Sequence, residues 1–414
     1  MSEDIERALR ASWWPAAAAV AQLAGDLSLA EDCAQEACAA AVKQWPRDGL
    51  PANPGGWVVG VARRRALDHL RRESTRAGKE REAVRGWAAA EPDGSAAAGD
   101  DQLALLFACC HPALDPASRV TLTLRMVCGL PTASIARLLL LPEPTVAQRI
   151  VRAKRKIRDA GIRLRVPDPP ERPARLTPVL RAIYLTFTEG HSPHGTAAVV
   201  RDDLCDEALR LAMRLHRLLP DEAEVTGLLA LILLTSARSA ARADQDGALV
   251  LLTDQDRSRW DRGRLDEGRS LVETALAQHR PGPYQLQAAI AACHADAATA
   301  ADTDWRQIAA LYSELLRFDP SPVIEANRAI AVAYAEGPMA GLAILDTLAA
   351  SSRLARWPQL HIARGALLAQ CGRHEDAVAA YRGALALEPA DAVRRHITGQ
   401  IAALGAAQAP TEET

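Results

Sequence analysis

The sequence predicts an all-α protein, and its composition gives two reasons for this expectation. Aromatic residues make up only 4% of the 414 residues. Alanine, the strongest helix former, is abundant throughout, whereas the Val-rich and aromatic-rich alternation typical of strands is scarce. The composition excludes collagen-like, disordered and disulfide-scaffold proteins. The length indicates two or three domains and is sufficient to bury several hydrophobic cores.

Two breaks in the helical pattern divide the chain into three helical parts. Residues 88–101 are small and acidic and contain one proline and two glycines, which predicts a flexible linker. Residues 166–178 contain five prolines, which predict a stiff, extended boundary. We therefore predict a first helical domain at 1–87, a second at 102–165, a helical array at 179–404 and a frayed tail at 405–414.

The third helical part contains a pattern of the tetratricopeptide type. Residues 360–389 place small residues where two helices would cross, Gly372 at the turn and Pro389 at the end. Residues 305–320 show a similar Tyr and Leu periodicity and end in Asp319 and Pro320. The copies are degenerate, so the pattern predicts a solenoid-like helical array.

Cysteine usage and hydropathy indicate a soluble, cytoplasmic protein. The eight cysteines have no framework spacing, and most lie in apolar helical stretches, which is typical of reduced, buried thiols. The chain begins with acidic residues where a signal peptide would be basic. The longest aliphatic run, 228–234, is too short to span a bilayer.

The second helical part predicts a helix-turn-helix unit with a basic outer face. Its last helix, at 145–158, places Val146, Ile150, Ala153 and Ile157 on one face at helical spacing. The opposite face carries Thr145, Gln148, Arg149, Arg152, Arg155 and Lys156. Such a helix suits the major groove, where its first residues reach base edges and later basic residues meet phosphates. The alternative is an ordinary helical hairpin with a solvated basic face.

The charge distribution also favours a polyanion partner for the N-terminal part, since residues 1–165 carry a net +5 and the remainder −7. A second basic stretch runs from 61 to 72, where we predict that Val61, Leu67 and Leu70 face inward and the arginines form a stripe. Trp57 precedes it in the turn 53–57. An aromatic ring beside arginines suits unstacked bases, although a helix-anchoring core role for Trp57 is the alternative.

Four segments of the first part together resemble region 2 of bacterial extracytoplasmic-function (ECF) sigma factors. They are 29–37 (LAEDCAQEA), 45–46 (WP), 53–57 (NPGGW) and 62–68 (ARRRALD). Residues 130–157, which include 145–154 (TVAQRIVRAK), resemble region 4 of the same family. Further segments resemble a subgroup with a long tetratricopeptide-like C-terminal extension: 109–114 (CCHPAL), 204–208 (LCDEA), 254–260 (DQDRSRW), 282–290 (GPYQLQAAI) and 303–305 (TDW).

The resemblance implies a sigma factor that binds core RNA polymerase and directs promoter recognition. Contacts with the clamp helices of the polymerase β′ subunit would come from Glu31, Asp32, Gln35 and Glu36. The −10 element and its displaced strand would meet Trp57, Arg63, Arg64, Arg65, Asp68, Arg71 and Arg72. The −35 major groove would hold Thr145, Gln148, Arg149, Arg152 and Arg155, with the β flap contacting region 4 nearby.

Two positions depart from the family pattern. Arg64 stands where many relatives carry Asn, which affects the expected −10 base preference, and Ser134 stands where an acidic residue is usual. The acidic helical array is expected to be a regulatory or docking module for a protein or ligand, acting through region 2, region 4 or polymerase. No catalytic residue, cofactor or membrane contact is expected.

A metalloenzyme is the main alternative from another class. Its candidate ligands are Cys109, Cys110, His111, His191, His194 and His294, with Asp254, Asp256 and Asp261 as candidate carboxylates. Their spacing does not match the paired geometry of a structural zinc site. A second alternative is a stand-alone helix-turn-helix regulator with a sensing array, which would bind palindromic sites as a dimer without polymerase.

Overall fold

The computed structural model describes residues 3–77, 96–139, 141–192, 200–245, 248–350, 354 and 356–407. Within these residues the protein is helical, and its only β pairing is an isolated antiparallel bridge between Ala243 and Leu249. The predicted all-α class is therefore confirmed. The chain divides into two compact units, one of Met1–Phe187 with Asp203–Leu215 and one of Thr188–Asp202 with His216–Thr414.

The first unit is built from nine helices in the described residues, the last two of which it shares with the second unit. They are α1 (Glu3–Ala24), α2 (Leu27–Asp48), α3 (Pro54–Ala77), α4 (Ala96–Cys109), α5 (Pro116–Met126), α6 (Thr132–Leu138), α7 (Glu143–Asp159), α8 (Pro173–His191) and α9 (Asp202–Leu218). Helices α1, α2 and α3 pack against one another, α4 packs on α1 and α5, and α5 and α6 pack on α7.

Small side chains set the inward face of α3. Val58, Ala62 and Ala66 are fully buried, whereas Val61 and Leu67 are half-buried, as is Leu70. The fully buried face of α3 is therefore formed by Val58, Ala62 and Ala66 and not by the three predicted residues, which are only partly buried. The reason is the close approach of α1, whose own buried face is also a run of alanines, since residues 16–19 are at most 2% exposed.

The helix-turn-helix part has its helix ends fixed by local chemistry. The Asp115 carboxylate caps α5 by accepting the Ser118 N–H at 2.9 Å. Gly129, which follows the end of α5, has φ +75°, a left-handed conformation that glycine adopts readily. Pro144 lies in the first turn of α7. A backbone N–H there would have no helical acceptor, so the absence of an N–H in proline costs no hydrogen bond.

Two helices begin inside segments that we predicted to be non-helical. Helix α4 begins at Ala96, within the predicted linker 88–101, and residues 88–95 lie outside the described part of the chain. Helix α8 begins at Pro173, within the predicted boundary 166–178, after a 3₁₀ turn at Pro169–Glu171. A proline is compatible with the first turn of a helix, so proline-rich sequence alone did not locate this helix start.

The second unit continues with helices that pack mainly on their chain neighbours. They are α10 (Ala223–Ser236), α11 (Arg262–Leu276), α12 (Pro283–Asp296), α13 (Trp305–Phe318), α14 (Pro322–Glu336), α15 (Pro338–Ala349), α16 (Pro358–Gln370), α17 (His374–Leu385) and α18 (Asp391–Ala407). From α12 to α18 each helix contacts the next one. Such serial packing is typical of helical arrays. Residues 408–414 of the predicted tail lie outside the described residues.

The pair α16–α17 shows why small residues recur in this unit. Gly365 lies against the ring of Tyr381, so a Cβ at this position would overlap the ring. Gly372, at the turn between the two helices, has φ +73°. Both glycines permit a close helical hairpin at the predicted repeat.

One apolar segment in the described residues, Ala223–Ala241, is long and apolar enough to cross a membrane by length and composition. It includes the aliphatic run at 228–234. Of its most apolar window, 72% is buried inside the unit, as in the core helix of a globular protein.

Candidate nucleic-acid interface

Helix α7 separates a buried apolar face from an exposed basic one. Val146, Ile150, Ala153 and Ile157 are at most 7% exposed, which confirms the predicted inward face. On the other side Gln148, Arg152 and Arg155 are exposed, and Thr145 and Arg149 are half-buried. Arg152 Nε donates to the Gln148 carbonyl at 3.4 Å within the helix. The face therefore presents one amide and several guanidinium groups to solvent, which is a suitable set for base edges and phosphates.

Helix α3 carries the second set of predicted DNA-binding residues. Arg64, Asp68, Arg71 and Arg72 are exposed, and Arg63 and Arg65 are half-buried. Arg64 and Arg72 donate through Nε to backbone carbonyls four residues earlier, at 3.2 Å and 3.1 Å. These bonds hold both guanidinium groups along the helix surface.

Several of these arginines have acidic partners in the structure. Arg65 pairs with Glu36 of α2, and Arg63 Nη2 lies 3.6 Å from Asp101 Oδ2. Arg71 lies 3.6 Å from Asp68 one turn earlier. The acidic and basic residues predicted for different partners thus compensate one another in part on this surface.

Trp57 lies at the start of α3 and is only partly buried. Its side chain is half-buried, and its ring lies edge-on to the buried Trp45, with centroids 5.6 Å apart. The turn before it is held by Asn53, whose side-chain oxygen accepts the Gly56 N–H at 2.8 Å. Trp57 is therefore fixed by an aromatic contact and still has an accessible surface.

The acidic edge of α2 is divided by burial. Asp32, Gln35 and Glu36 are exposed, whereas Glu31 is only 8% exposed. This acidic edge is therefore not uniformly solvated, because Glu31 is withdrawn from solvent. Glu31 is buried because the helix-turn-helix part packs on this part of α2.

Glu31 is held by two cations from the helix-turn-helix part, and we call these three residues the Glu31 cluster. The Glu31 carboxylate pairs with Arg125 of α5 through Oε1 and with Lys154 of α7 through Oε2. Close by, Arg158 lies 3.7 Å from Asp26, the cap of α2. Burial acts to raise the pKa of Glu31, but the charges and hydrogen bonds of Lys154 and Arg125 outweigh it and hold the pKa below its ordinary value.

Trp14 adds an apolar contact to the same junction. Its ring lies against Gly129 at the end of α5, so closely that a Cβ on Gly129 would overlap it. Helix α2 also packs on α7. The first helical part and the helix-turn-helix part are therefore docked on each other within the first unit.

Sequence reasoning missed Arg125 and Lys154. Lys154 is one of only four lysines in the chain and lies beside the buried position 153. Arg125 lies on a helix with an otherwise largely apolar buried face. The available signal was a cation at the edge of an apolar helix face, which indicates a possible buried ion pair. The neighbouring sequence of either residue does not show that Glu31 is the partner.

Four of the residues considered for metal or carboxylate chemistry are buried in a helix or cap one. Cys109 and Cys110 are buried at the end of α4, and burial raises the pKa of the Cys110 thiol to about 12. Asp256 caps the 3₁₀ turn Arg257–Arg259 by accepting the Ser258 N–H, and Asp261 caps α11 by accepting the Arg264 N–H. No cluster of three potential metal ligands occurs in the described residues, which do not include His194.

Comparison with known families separates the chain into three matched segments. Sigma-70 region 2 matches residues 15–76, Sigma-70 region 4 matches residues 104–157, and a family of unknown function, DUF6596, matches residues 175–276. A probable ECF RNA polymerase sigma factor, SigI, of Mycobacterium tuberculosis is 30% identical over 179 residues, which cover 41% of this chain and 58% of that protein. These matches assign the two sigma-70 regions to the first helical part and to the helix-turn-helix part, and they support a sigma factor for transcription initiation.

The relationship extends beyond the sigma-70 regions. An uncharacterized protein of Rhizobium meliloti (strain 1021) is 43% identical over 394 residues, which cover 94% of this chain and 93% of that protein. The chain belongs to the same family as this protein.

Proposed function

We propose that this sigma factor binds core RNA polymerase and directs it to promoters, with residues 102–165 reading the −35 element and residues 1–87 binding and melting the −10 element. The observation that carries the proposal is the order of the two sigma-70 regions, each of which contains a helix with an exposed basic face. The chain itself performs no covalent step.

At the −35 element, α7 is proposed to enter the major groove. Thr145, Gln148 and Arg149 lie near its start and are proposed to reach base edges, whereas Arg152 and Arg155 are proposed to bind phosphates. This division is supported by the exposure of Gln148, Arg152 and Arg155 on the side opposite the buried face.

At the −10 element, α3 is proposed to bind the unwound strand. The accessible surface of Trp57 provides a stacking platform for an unpaired base, and the arginines at 63, 64, 65, 71 and 72, with Asp68, line the path of the strand. Unstacking costs a few kcal/mol per step, so these contacts must compensate it. The half-buried Trp57 supports this role because one part of its ring is anchored and another is free to stack.

Polymerase binding is proposed to use Glu31, Asp32, Gln35 and Glu36. Three of these residues are accessible, but Glu31 is occupied by Arg125 and Lys154. We therefore infer that the helix-turn-helix part must leave α2 before polymerase engages this edge fully. In this proposal the docked arrangement is a resting form that polymerase binding opens.

The deciding experiment is run-off transcription with bacterial core polymerase, with and without the protein, on a library of upstream fragments from its source genome. Specific initiation that depends on the protein, and that is lost in an Arg152→Ala/Arg155→Ala variant, is expected. Binding of palindromic DNA as a dimer, with no complex formed with core polymerase, would instead identify a stand-alone regulator.

The C-terminal helices are proposed to form a tetratricopeptide-like regulatory module of a cytoplasmic protein. A truncation that tests this has to keep α8 and α9, because α9 is tied to α4 in the first unit. Gln102 donates to Glu207 at 2.5 Å and accepts from Arg214 at 2.8 Å. Removal of all residues after Leu218 preserves these bonds. Unchanged promoter-specific transcription, in both level and control, would disprove a regulatory role.

A further inference from the structure

One apolar side chain interrupts the basic face of α7. Val151 is 65% exposed, the highest value among the large hydrophobic side chains that the structure describes. The other large aliphatic residues of this helix, Val146, Ile150 and Ile157, are at most 7% exposed. Single exposed apolar residues are common on protein surfaces, so the position of Val151 decides whether it has a role.

Helical spacing places Val151 among the residues proposed to meet DNA. Because an α-helix has about 3.6 residues per turn, four exposed residues of α7 lie within about 100° of one another around its axis: Gln148, Val151, Arg152 and Arg155. Val151 follows Gln148 by three residues and precedes Arg155 by four, so the three side chains are neighbours on the helix surface. A major groove that receives Gln148 and Arg155 therefore also receives Val151.

The docking of α7 on the first helical part does not involve Val151. Lys154 lies on the side of α7 that meets α2, where its side chain pairs with Glu31 and is only 12% exposed. Val151 precedes Lys154 by less than one turn and remains largely exposed. The arrangement that covers one side of α7 thus leaves this valine available to a further partner.

The chemistry of the major groove limits what a valine can recognise there. Base edges present hydrogen-bond donors and acceptors, and the one apolar group among them is the C5-methyl group of thymine. Valine has no hydrogen-bonding group, and a donor or acceptor that it covers without a substitute partner is costly. Its contact with a methyl group instead removes apolar surface from water on both sides. A valine on this face therefore favours thymine over the other bases.

On the basis of the proposed promoter function, we propose that Val151 is a specificity-determining residue that contacts the C5-methyl group of one thymine in the −35 element. It adds to the hydrogen bonds that Gln148 and Arg149 make with base edges in that proposal. Unlike a phosphate contact of Arg155, a contact between methyl groups releases no counterion. Val151 therefore affects the choice of sequence and not the salt dependence of binding.

The test compares thymine with deoxyuridine, which lacks only the C5-methyl group. Full-length protein is assembled with core RNA polymerase, and each −35 thymine of a promoter identified by run-off transcription is replaced in turn, on either strand. Competition in fluorescence anisotropy gives the promoter affinity of wild type, Val151→Ala, Val151→Ile and Leu276→Ala. Leu276→Ala is the matched control, because Leu276 is a 47% exposed aliphatic residue of α11, outside both sigma-70 regions.

Wild type is expected to lose about fourfold in affinity when one particular thymine becomes deoxyuridine, as for the loss of one buried methyl group. Val151→Ala should lose a similar amount on the thymine promoter and no more on the deoxyuridine promoter, because one partner of the contact is already absent. Val151→Ile and Leu276→Ala should retain the sensitivity of wild type. Val151→Ala is expected to fold, since the site is exposed and alanine favours helix.

Equal sensitivity of wild type and Val151→Ala at every thymine would overturn the proposal, as would a −35 element without a methyl-sensitive thymine. Weaker binding of Val151→Ala to core polymerase without DNA would also overturn it, because the valine would then contact a protein. Failure to direct initiation at any promoter would overturn the proposed function and this inference together. Normal initiation with additive effects of Val151→Ala and deoxyuridine would overturn the inference alone.

Discussion

Replacing Lys154 with methionine removes one of the two cations that hold Glu31 and retains a side chain of similar length. The side chains of Lys154 and Glu31 are 12% and 11% exposed, so solvent screens their interaction only weakly. A hydrogen bond to a charged group contributes about 1.5–3 kcal/mol, and we take about 2 kcal/mol because Arg125 remains in place. This corresponds to a change of roughly 30-fold in the equilibrium between the docked and the open form.

The assay is the affinity of the protein for core RNA polymerase, measured by fluorescence anisotropy without DNA. If polymerase binds only the open form and the docked form predominates, Lys154→Met should bind up to about 30-fold more tightly than wild type. Lys156→Met is the matched control, because Lys156 is exposed on the same helix and has no ion pair among the described residues. It should bind like wild type.

Stability provides the second readout for the same variant. Lys154→Met should unfold at a lower temperature than Lys156→Met, because Glu31 keeps only one of its cations. If Lys154→Met lost stability but bound polymerase no more tightly than wild type, docking of α7 on α2 would not restrict polymerase binding. That result would refute the reasoning from the Glu31 cluster.

Three further predictions test the same unit. Gly129→Ala should lower the free energy of unfolding by more than about 1 kcal/mol in urea titration, because φ is +75° and the new Cβ would overlap Trp14. Gly161→Ala, at φ +59° but with open space around it, should cost less. The pKa of Glu31 is lowered from its ordinary value of 4.5, so its stabilising contribution is present above that pH and is lost as pH falls through the lowered pKa. The stability difference between wild type and Glu31→Gln should therefore shrink below pH 4.5; a constant difference down to pH 3 would contradict this sign. Arg155→Gln should weaken promoter-DNA binding and reduce the salt slope by about 1, as measured by filter binding; an unchanged slope would exclude a phosphate contact.

Much of the local structure followed from sequence patterns. The inward face of α7 was predicted because Val146, Ile150, Ala153 and Ile157 repeat at helical spacing, and a helical repeat is a property of neighbouring residues. The start of α8 at Pro173 and the buried face of α3 were not predicted correctly. The buried face of α3 depends on how α1 packs against it, and the start of α8 depends on where a proline begins a helical turn. Local composition contains no information about either.

The candidate interface shows the same division. The exposed basic face of α7 was visible in the sequence as six basic residues without an acid between 149 and 158. The burial of Glu31 was not, since its partners Arg125 and Lys154 lie 94 and 123 positions away. Likewise, the sequence did not show that docking on α2 covers Lys154 and leaves Val151 exposed.

The sequence by itself therefore determined the helical class, the two sigma-70 regions and the side of α7 that faces solvent, because each depends on residue patterns within one segment. Only the tertiary structure decided that Glu31 is enclosed by two cations and that docking covers Lys154 of α7 but leaves Val151 exposed. Electrostatic interactions act through space, and burial strengthens them. Their partners are therefore set by how distant helices pack rather than by the order of residues along the chain.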